Sequence, residues 1–562
     1  MCGKGDLTVQ KISRRDFLRT SIASAVGLGV MGSPLQSWAS QTEFVPAVVI
    51  GSGFGGAVAA LRLAQAGLQT VVLERGRRWR IRRDGNTFAT FEQPDGRSAW
   101  LSTSTPITPI EQALGLPVDP PIDVYTGVLE LVIGNGMAAF AGAGVGGGSL
   151  HYNGILVEPH RRVFQQIFPS EIDFDEMESV YYPRVRSIIR PATIPPDILA
   201  TDFYQSTRVN LEQAQRAEFN TRLVTLGVDW DIVRQEIAGT KVPSIIAGQS
   251  WYGNNSGAKK SVDQNYLAMA EASRHLEILP LHLVVSIEEL TSDLDKPKHN
   301  RKPRYVVSAE KINAQGEILR RRQFVCRHLF LAAGSIGTPK LLVRAKATGT
   351  LPRLNDQVGQ NWGGNGDFVV ARAGLPPTNP GTGGPAGHFI MEDYREEDVD
   401  LSDPTRLPPN GMIELVTPRN LAIFPGLATY VGMGYHAPIG SFTYDPIADD
   451  VILNFPPLED PRLMAFLTSS QRMLDILDQS NKDDFQPATL ANNPTLTAHG
   501  LGGATIGTVC DQFGRVMDHP GLYVVDGAFL PGSAGMVNPA LTIAALAERS
   551  MEDIITRDMM GS

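Results

Sequence analysis

The sequence predicts an α/β protein: a Rossmann-like, dinucleotide-binding domain split along the chain, joined to a second domain containing an antiparallel sheet. Three observations predict it. A strand–turn–helix–strand unit fills residues 47–74. The same α/β character returns near the far end, in residues 521–553. Between them, residues 411–456 alternate apolar and polar side chains, as antiparallel strands with one covered face do.

The first unit opens with Ala47-Val-Val-Ile50, a β-branched run read as a buried strand. Gly51-x-Gly53-x-x-Gly56 follows, with Phe54 and Gly55 inside it. Gly51 permits the tight turn, Gly53 lets backbone N–H groups approach a pyrophosphate, and Gly56 allows close helix–strand packing. The helix N-terminus favours the negative charge. An Ala/Leu-rich helix from Ala57 to about Ala66 leads through Gly67 to a second strand, Thr70–Leu73, and to Glu74. A carboxylate there can accept hydrogen bonds from a ribose diol. NAD and FAD both bind such a unit.

Further along, residues 80–130 lack periodicity, and residues 141–149 are rich in glycine. Helical stretches are predicted around 175–190 and 205–220, and sheet at 277–281, 303–308 and 323–331. A helix follows over 340–345. The Pro-, Gly- and acid-rich segment 370–410 reads as a mobile loop. Residues 459–482 have helical spacing, and a last helix should start at Pro539. There are no internal repeats.

The 562 residues are 42% hydrophobic and 19% charged, which places the chain among globular proteins. A net charge of −9 argues against nucleic acid as a partner. Cys2, Cys326 and Cys510 form neither a metal spacing nor a disulfide framework, so no metal is expected. No apolar run approaches the ~20 residues of a membrane span. Ser13-Arg14-Arg15-Asp16-Phe17-Leu18, an apolar stretch to Gly32 and small residues around Ala39 read as a twin-arginine export leader over 1–39, directing the chain to the periplasm or the medium. Cleavage after Ala39 would remove a net +3 and leave −12.

Three stretches resemble the glucose–methanol–choline (GMC) flavin oxidoreductases. They are Gly144-Val-Gly-Gly-Gly-Ser149 with Asn153-Gly154, Leu331-Ala-Ala-Gly-Ser-Ile-Gly-Thr-Pro339, and the C-terminal Tyr523–Arg549 signature. The resemblance breaks the tie in favour of FAD and implies a glutathione-reductase-type core. It implies an FAD domain over 44–88, 262–362 and 499–558, and a substrate domain over 89–261 and 363–498. It assigns to the cofactor Gly144, Gly147, Gly148, Ser149, Asn153, Gly154, Val284, Gly334, Asp526, Gly527, Asn538 and Pro539, besides the glycine turn and Glu74.

Within the family, Gly144–Pro159, Val358–Gly366 and His499–Val516 look most like the steroid-oxidising branch, the bacterial type I cholesterol oxidases. That likeness implies oxidation of a 3β-hydroxysteroid by hydride transfer to the flavin, O₂ as electron acceptor, H₂O₂ as product, and isomerisation of the 5-en-3-one to the 4-en-3-one. The motifs map the branch's flavin-facing His and Asn onto His499 and Asn538, and its proton-moving Glu onto Glu414 in Met412-Ile-Glu-Leu415. The chemistry suits these types: an imidazole accepts an alcohol proton near neutral pH, and apolar neighbours raise a carboxylate's pKa. A helix beginning at Pro539 would aim its positive end at the flavin.

The alternative within the family is a dehydrogenase or oxidase for another bulky hydrophobic alcohol, using a separate electron acceptor. Met536 is one residue more than the steroid-oxidase loop carries, and could shift Asn538. His151 lies near the position where choline oxidase ties its FAD to a histidine; a histidyl–flavin bond and an ordinary polar neighbour both remain open. A sterol needs a covered cavity, and residues 374–410 and Thr103–Gly127 are the candidate covers. A monomer in transient contact with lipid is expected.

Overall fold

The computed structural model describes residues 41–113, 118–290, 303–403, 406–417, 426–483 and 485–560. The expected export leader, residues 1–39, lies outside them. The β-branched run of the first unit becomes the inner strand Gln41–Ile50, with Val48 and Val49 fully buried. It runs parallel to Thr70–Glu74 on one side and to Ile318–Leu331 on the other, with Val48 opposite both Val71 and Leu329. Leu276–Pro280 extends the sheet beyond Thr70–Glu74.

The 14-residue strand Ile318–Leu331 serves two neighbours. Its first part pairs antiparallel with Tyr305–Ile312, which pairs with His282–Glu289. Its end pairs parallel with Leu522–Val524, so the C-terminal unit returns to the same sheet as the first. The helices Phe54–Gln65 and Ala540–Ile554 pack on each other, an approach that the alanines Ala57, Ala60, Ala544 and Ala547, all buried, leave room for.

A second sheet is wholly antiparallel. Its six strands run in the order Ala488–Asn493, Asp367–Ala373, Ala428–Met433, Gly411–Leu415, Phe389–Glu392 and Asn220–Leu223. Period-two alternation sorts its side chains. Ile413, Leu415, Val431 and Met433 join the main core. Phe368, Val370, Met412 and Tyr430 face the other way, onto Phe466, Met473 and Leu474 of the helix Pro461–Ser480.

Two expectations change here. The segment 370–410 is not one loop, because it contributes the end of Asp367–Ala373 and all of Phe389–Glu392. Its Pro, Gly and acidic residues dominate the composition, but the short apolar runs Phe368-Val-Val and Phe389-Ile-Met are enough to pair within a sheet. A cover spanning 374–410 cannot swing as a unit when Phe389–Glu392 is hydrogen-bonded on both edges. The unpatterned stretch 80–130 holds the short helix Thr108–Ala113 and the start of the hairpin Leu129–Ile133 and Ala138–Gly142.

Candidate active site

The carboxyl ends of the parallel strands, at Ile50, Glu74 and Ala332, open onto a cavity of about 510 Å³. Open α/β sheets bind ligands at this edge. The opposite wall is the second sheet, through Val369, Leu415 and Val431. Phe140, Trp251 and Leu496 add further apolar lining.

The glycine turn is built by close approach. Gly51 has φ +97°, and a Cβ on it would fall 2.2 Å from the Ala332 carbonyl oxygen. A Cβ on Gly55 would fall 1.7 Å from that of Val525. Gly51, Gly53, Phe54 and Gly55 line the cavity, whereas Gly56 packs behind the turn against the Gly51 carbonyl. Glu74 also lines it, but its oxygens already accept bonds from Ser52 N (3.1 Å), Ser52 Oγ (2.6 Å), Gly76 N (2.9 Å) and Gly144 N (3.3 Å). The Ser52 hydroxyl in turn accepts from Gly146 N at 3.1 Å. Ser52, which the sequence reading passed over, thus clips the first turn to the glycine-rich segment.

In that segment Gly147 and Gly148 line the cavity with Asn153, whose Oδ1 accepts from Ser250 Oγ at 2.7 Å. Gly144, Ser149 and Gly154 do not line it. The Ser149 hydroxyl holds the turn by donating to the Gly146 carbonyl (2.7 Å) and accepting from Val262 N (3.0 Å), and the Gly154 carbonyl accepts from Gly227 N. These three shape the segment from behind. Val284, Gly334, Asp526 and Gly527 lie on the lining. Asp526 accepts from Gly334 N, Thr338 Oγ1 and Ala528 N, yet burial pushes its carboxyl up to about 6.

His499, Asn538 and Pro539 all lie on the cavity lining. The His499 Nδ1 is 2.9 Å from Asp367 Oδ1, and its Nε2 is 3.0 Å from Asn538 Nδ2. The extra residue Met536 takes a left-handed conformation (φ +59°) and packs with Val163 and Val399, so the insertion is absorbed away from the cavity and Asn538 still reaches His499. Asn365 holds the loop, accepting from Ala534 N (2.8 Å) and donating to the Val537 carbonyl (3.0 Å). Pro539 caps the helix Ala540–Ile554, whose N-terminus opens on the cavity. His151 lines the same space. Burial, the Lys259 ammonium and His499 push its imidazole down to about 3, so it is neutral, and its Nε2 has no hydrogen-bond partner.

Glu414 is the expectation that the structure corrects. It alternates with Leu415, so when Leu415 faces the cavity the carboxyl faces the other side of the sheet. There it meets Ser206, Thr207 and Asn210 of the helix Gln205–Arg216, and burial pushes it up to about 7 despite their hydrogen bonds. It is a buried carboxyl behind the cavity wall. Besides Ser52, Asp367 and Asn365 are residues whose roles the sequence does not display: Asn365 and Gly366 end a stretch that resembles the steroid-oxidising branch, and Asp367 follows just beyond it.

These groups fit FAD. The glycine cradle leaves backbone N–H groups at a helix N-terminus for a pyrophosphate, and the space in front of Gly334 is open, with nothing within 4 Å of where its Cβ would stand. Buried polar atoms without partners, His151 Nε2 and Asn538 Oδ1, belong to residues that line the same cavity.

Fold and cavity together define a dinucleotide-binding α/β protein with an imidazole and an amide meeting on the cavity lining. Family models of the GMC oxidoreductases match residues 47–362 and 444–547. A cholesterol oxidase of Mycobacterium tuberculosis (strain ATCC 25618 / H37Rv) is 27% identical over 584 aligned residues, covering 90% of each chain. A cholesterol oxidase of Acinetobacter baumannii is 24% identical over 570, covering 90% of this chain and 94% of that one. The crystal structure of pyridoxine 4-oxidase from Mesorbium loti superposes with a TM-score of 0.58 at 14% identity, over 91% of this chain and 99% of the other, a likeness of fold. The chain belongs to the GMC oxidoreductase family. It is a flavin-dependent oxidoreductase, and its cofactor is FAD.

Proposed function

We propose that the chain oxidises the secondary 3β-hydroxyl of a sterol to a ketone and passes the electrons to O₂, giving H₂O₂. The observation that carries this reading is the meeting of His499 and Asn538 on the lining of a cavity also walled by Val369, Leu415, Val431, Leu496 and Phe140. A large apolar substrate needs such a wall, with a few polar groups at one end to orient its hydroxyl. The likeness to proteins named as cholesterol oxidases supports the same substrate class.

FAD, when bound, supplies the hydride acceptor. His499 Nε2 accepts the hydroxyl proton, and the Asn538 amide orients the hydroxyl oxygen by hydrogen bonding. The apolar wall excludes water around the reacting carbon. The glycine turn would hold the dinucleotide, with Glu74 bracing that turn through Ser52 and Gly144, and the helix starting at Ala540 would offer its positive end to negative charge on the bound group. With Glu414 behind the sheet, the proposed product is the ketone, and no isomerisation is assigned to that residue. The exposed Val118 and Val124 on the Thr103–Gly127 segment support transient contact with lipid. Residues 1–39 are read as sending the folded, FAD-loaded chain out by the twin-arginine route.

An alcohol panel followed at once by O₂ uptake, dye reduction and ultraviolet absorbance tests the proposal. Bleaching of the flavin by a 3β-hydroxysterol under anaerobic conditions, followed by O₂ uptake, is the expected result. Reduction by other bulky alcohols but by no sterol would move the substrate class. Dye reduction without O₂ uptake would make the enzyme a dehydrogenase.

A further inference from the structure

Asp367 stands at the start of the strand Asp367–Ala373, 3% exposed. Both of its oxygens are committed. Oδ2 faces Thr497 Oγ1 at 2.8 Å and Ala498 N at 3.0 Å; Oδ1 faces His499 Nδ1 at 2.9 Å. A carboxylate only accepts, so Nδ1 must carry the ring proton. In the neutral ring Nε2 is then bare, which matches the Asn538 amide donating to it at 3.0 Å. The Asn538 Oδ1 is buried with no partner, leaving an acceptor beside Nε2. The neighbouring imidazoles do not compete as charges: burial holds both His151 and His436 below the ordinary imidazole range.

Gly366 makes the arrangement possible. Its φ is +66°, and a Cβ there would fall 2.2 Å from the Gly434 carbonyl oxygen. Across this one turn, Asn365 fixes the Asn538 loop and Asp367 fixes His499. Two residues of one tripeptide therefore set the spacing between two side chains that are 39 residues apart in sequence.

We propose that Asp367 is a positioning residue that locks His499 in the Nδ1–H tautomer and keeps Nε2 unprotonated, so that a substrate hydroxyl can take the place of the Asn538 amide on the single Nε2 lone pair and pass its proton there. The tautomer lock stands on the hydrogen bonds alone, while its use in turnover rests on the alcohol-oxidising reading. In that turnover the O–H bond would break with its proton passing to Nε2 and the C=O bond forming, while FAD, when bound, would supply the acceptor for the hydride leaving the carbinol carbon. The imidazolium formed is then paired with the Asp367 carboxylate, a charge-assisted bond in a nearly dry site.

Asp367→Asn provides the test. Thr497 Oγ1 and Ala498 N need an acceptor, so the new amide oxygen should turn to them and its NH₂ to His499 Nδ1. That forces the ring into the Nε2–H tautomer, with a proton on the nitrogen that must be bare. In ¹⁵N-histidine-labelled holoprotein, with His499 assigned by its loss in His499→Gln, the wild type should show Nε2 unprotonated and Asp367→Asn should show it protonated. Anaerobic flavin reduction by the best alcohol should slow by roughly 10²- to 10⁴-fold, with the substrate Kd within about threefold. A wild-type ring protonated on Nε2, or an Asp367→Asn protein that keeps the wild-type tautomer and rate, overturns the proposal. If Asp367→Asn does not load FAD, the wild-type tautomer decides. If no alcohol bleaches the wild-type flavin, the functional reading fails while the tautomer measurement still judges the lock.

Discussion

Glu414→Gln separates a catalytic from a structural carboxyl by its effect on stability. In the folded chain burial raises this carboxyl from an ordinary 4.5 to about 7. The folded state therefore holds a proton that the unfolded state releases. Stability is unaffected below pH ~4.5, falls as the pH rises through the gap, and levels off above ~7. A gap of about 2.5 units at ~1.4 kcal/mol each corresponds to ~3 kcal/mol lost between pH 4.5 and 8. Glutamine keeps the shape and offers hydrogen-bonding groups to Ser206, Thr207 and Asn210, but it cannot ionise. At pH 4 the two proteins should unfold in urea at matching free energies. At pH 8 Glu414→Gln should be the more stable by ~2–3 kcal/mol. Asp526 and Asp393, both raised to about 6, act in the same direction in both proteins, so the difference between the curves isolates Glu414. Parallel pH dependences would refute the reasoning. So would a loss of alcohol oxidation beyond about tenfold, because a side chain on the far face of the sheet has no access to the reacting atoms.

Three further outcomes follow from the site. His499→Ala should slow anaerobic flavin reduction by roughly 10²- to 10⁴-fold while substrate Kd changes little, as stopped-flow absorbance will show. Gly55→Ala would place a Cβ 1.7 Å from the Val525 carbonyl oxygen, so the purified protein should carry far less flavin by its visible-to-ultraviolet absorbance ratio. Asn365→Ala strands the buried Ala534 N–H and Val537 carbonyl; it should cost ~2–4 kcal/mol in urea unfolding and slow flavin reduction by loosening the Asn538 loop.

The sequence by itself determined the nucleotide-binding half. Its signals are local: a glycine turn between a β-branched strand and an alanine-rich helix, and an acid at the end of the next strand, are fixed by backbone sterics within some thirty residues. The C-terminal signature and the stretch His499–Val516 were legible through their resemblance to the GMC oxidoreductases, which pointed to Asn538 and His499; the structure brings both to the cavity although they come from separate loops. Tertiary structure alone decided the rest. Whether Glu414 or Leu415 faces the cavity depends on which side of the sheet is covered by which partner, and a strand buried on both faces does not display its register in sequence. Ser52, Asn365 and Asp367 gain their roles from segments distant in the chain: the glycine-rich turn, the Ser533–Val537 loop and His499. A hydrogen bond between remote segments leaves no periodicity to read, so only the folded chain shows that one turn at Gly366 aligns an imidazole and an amide.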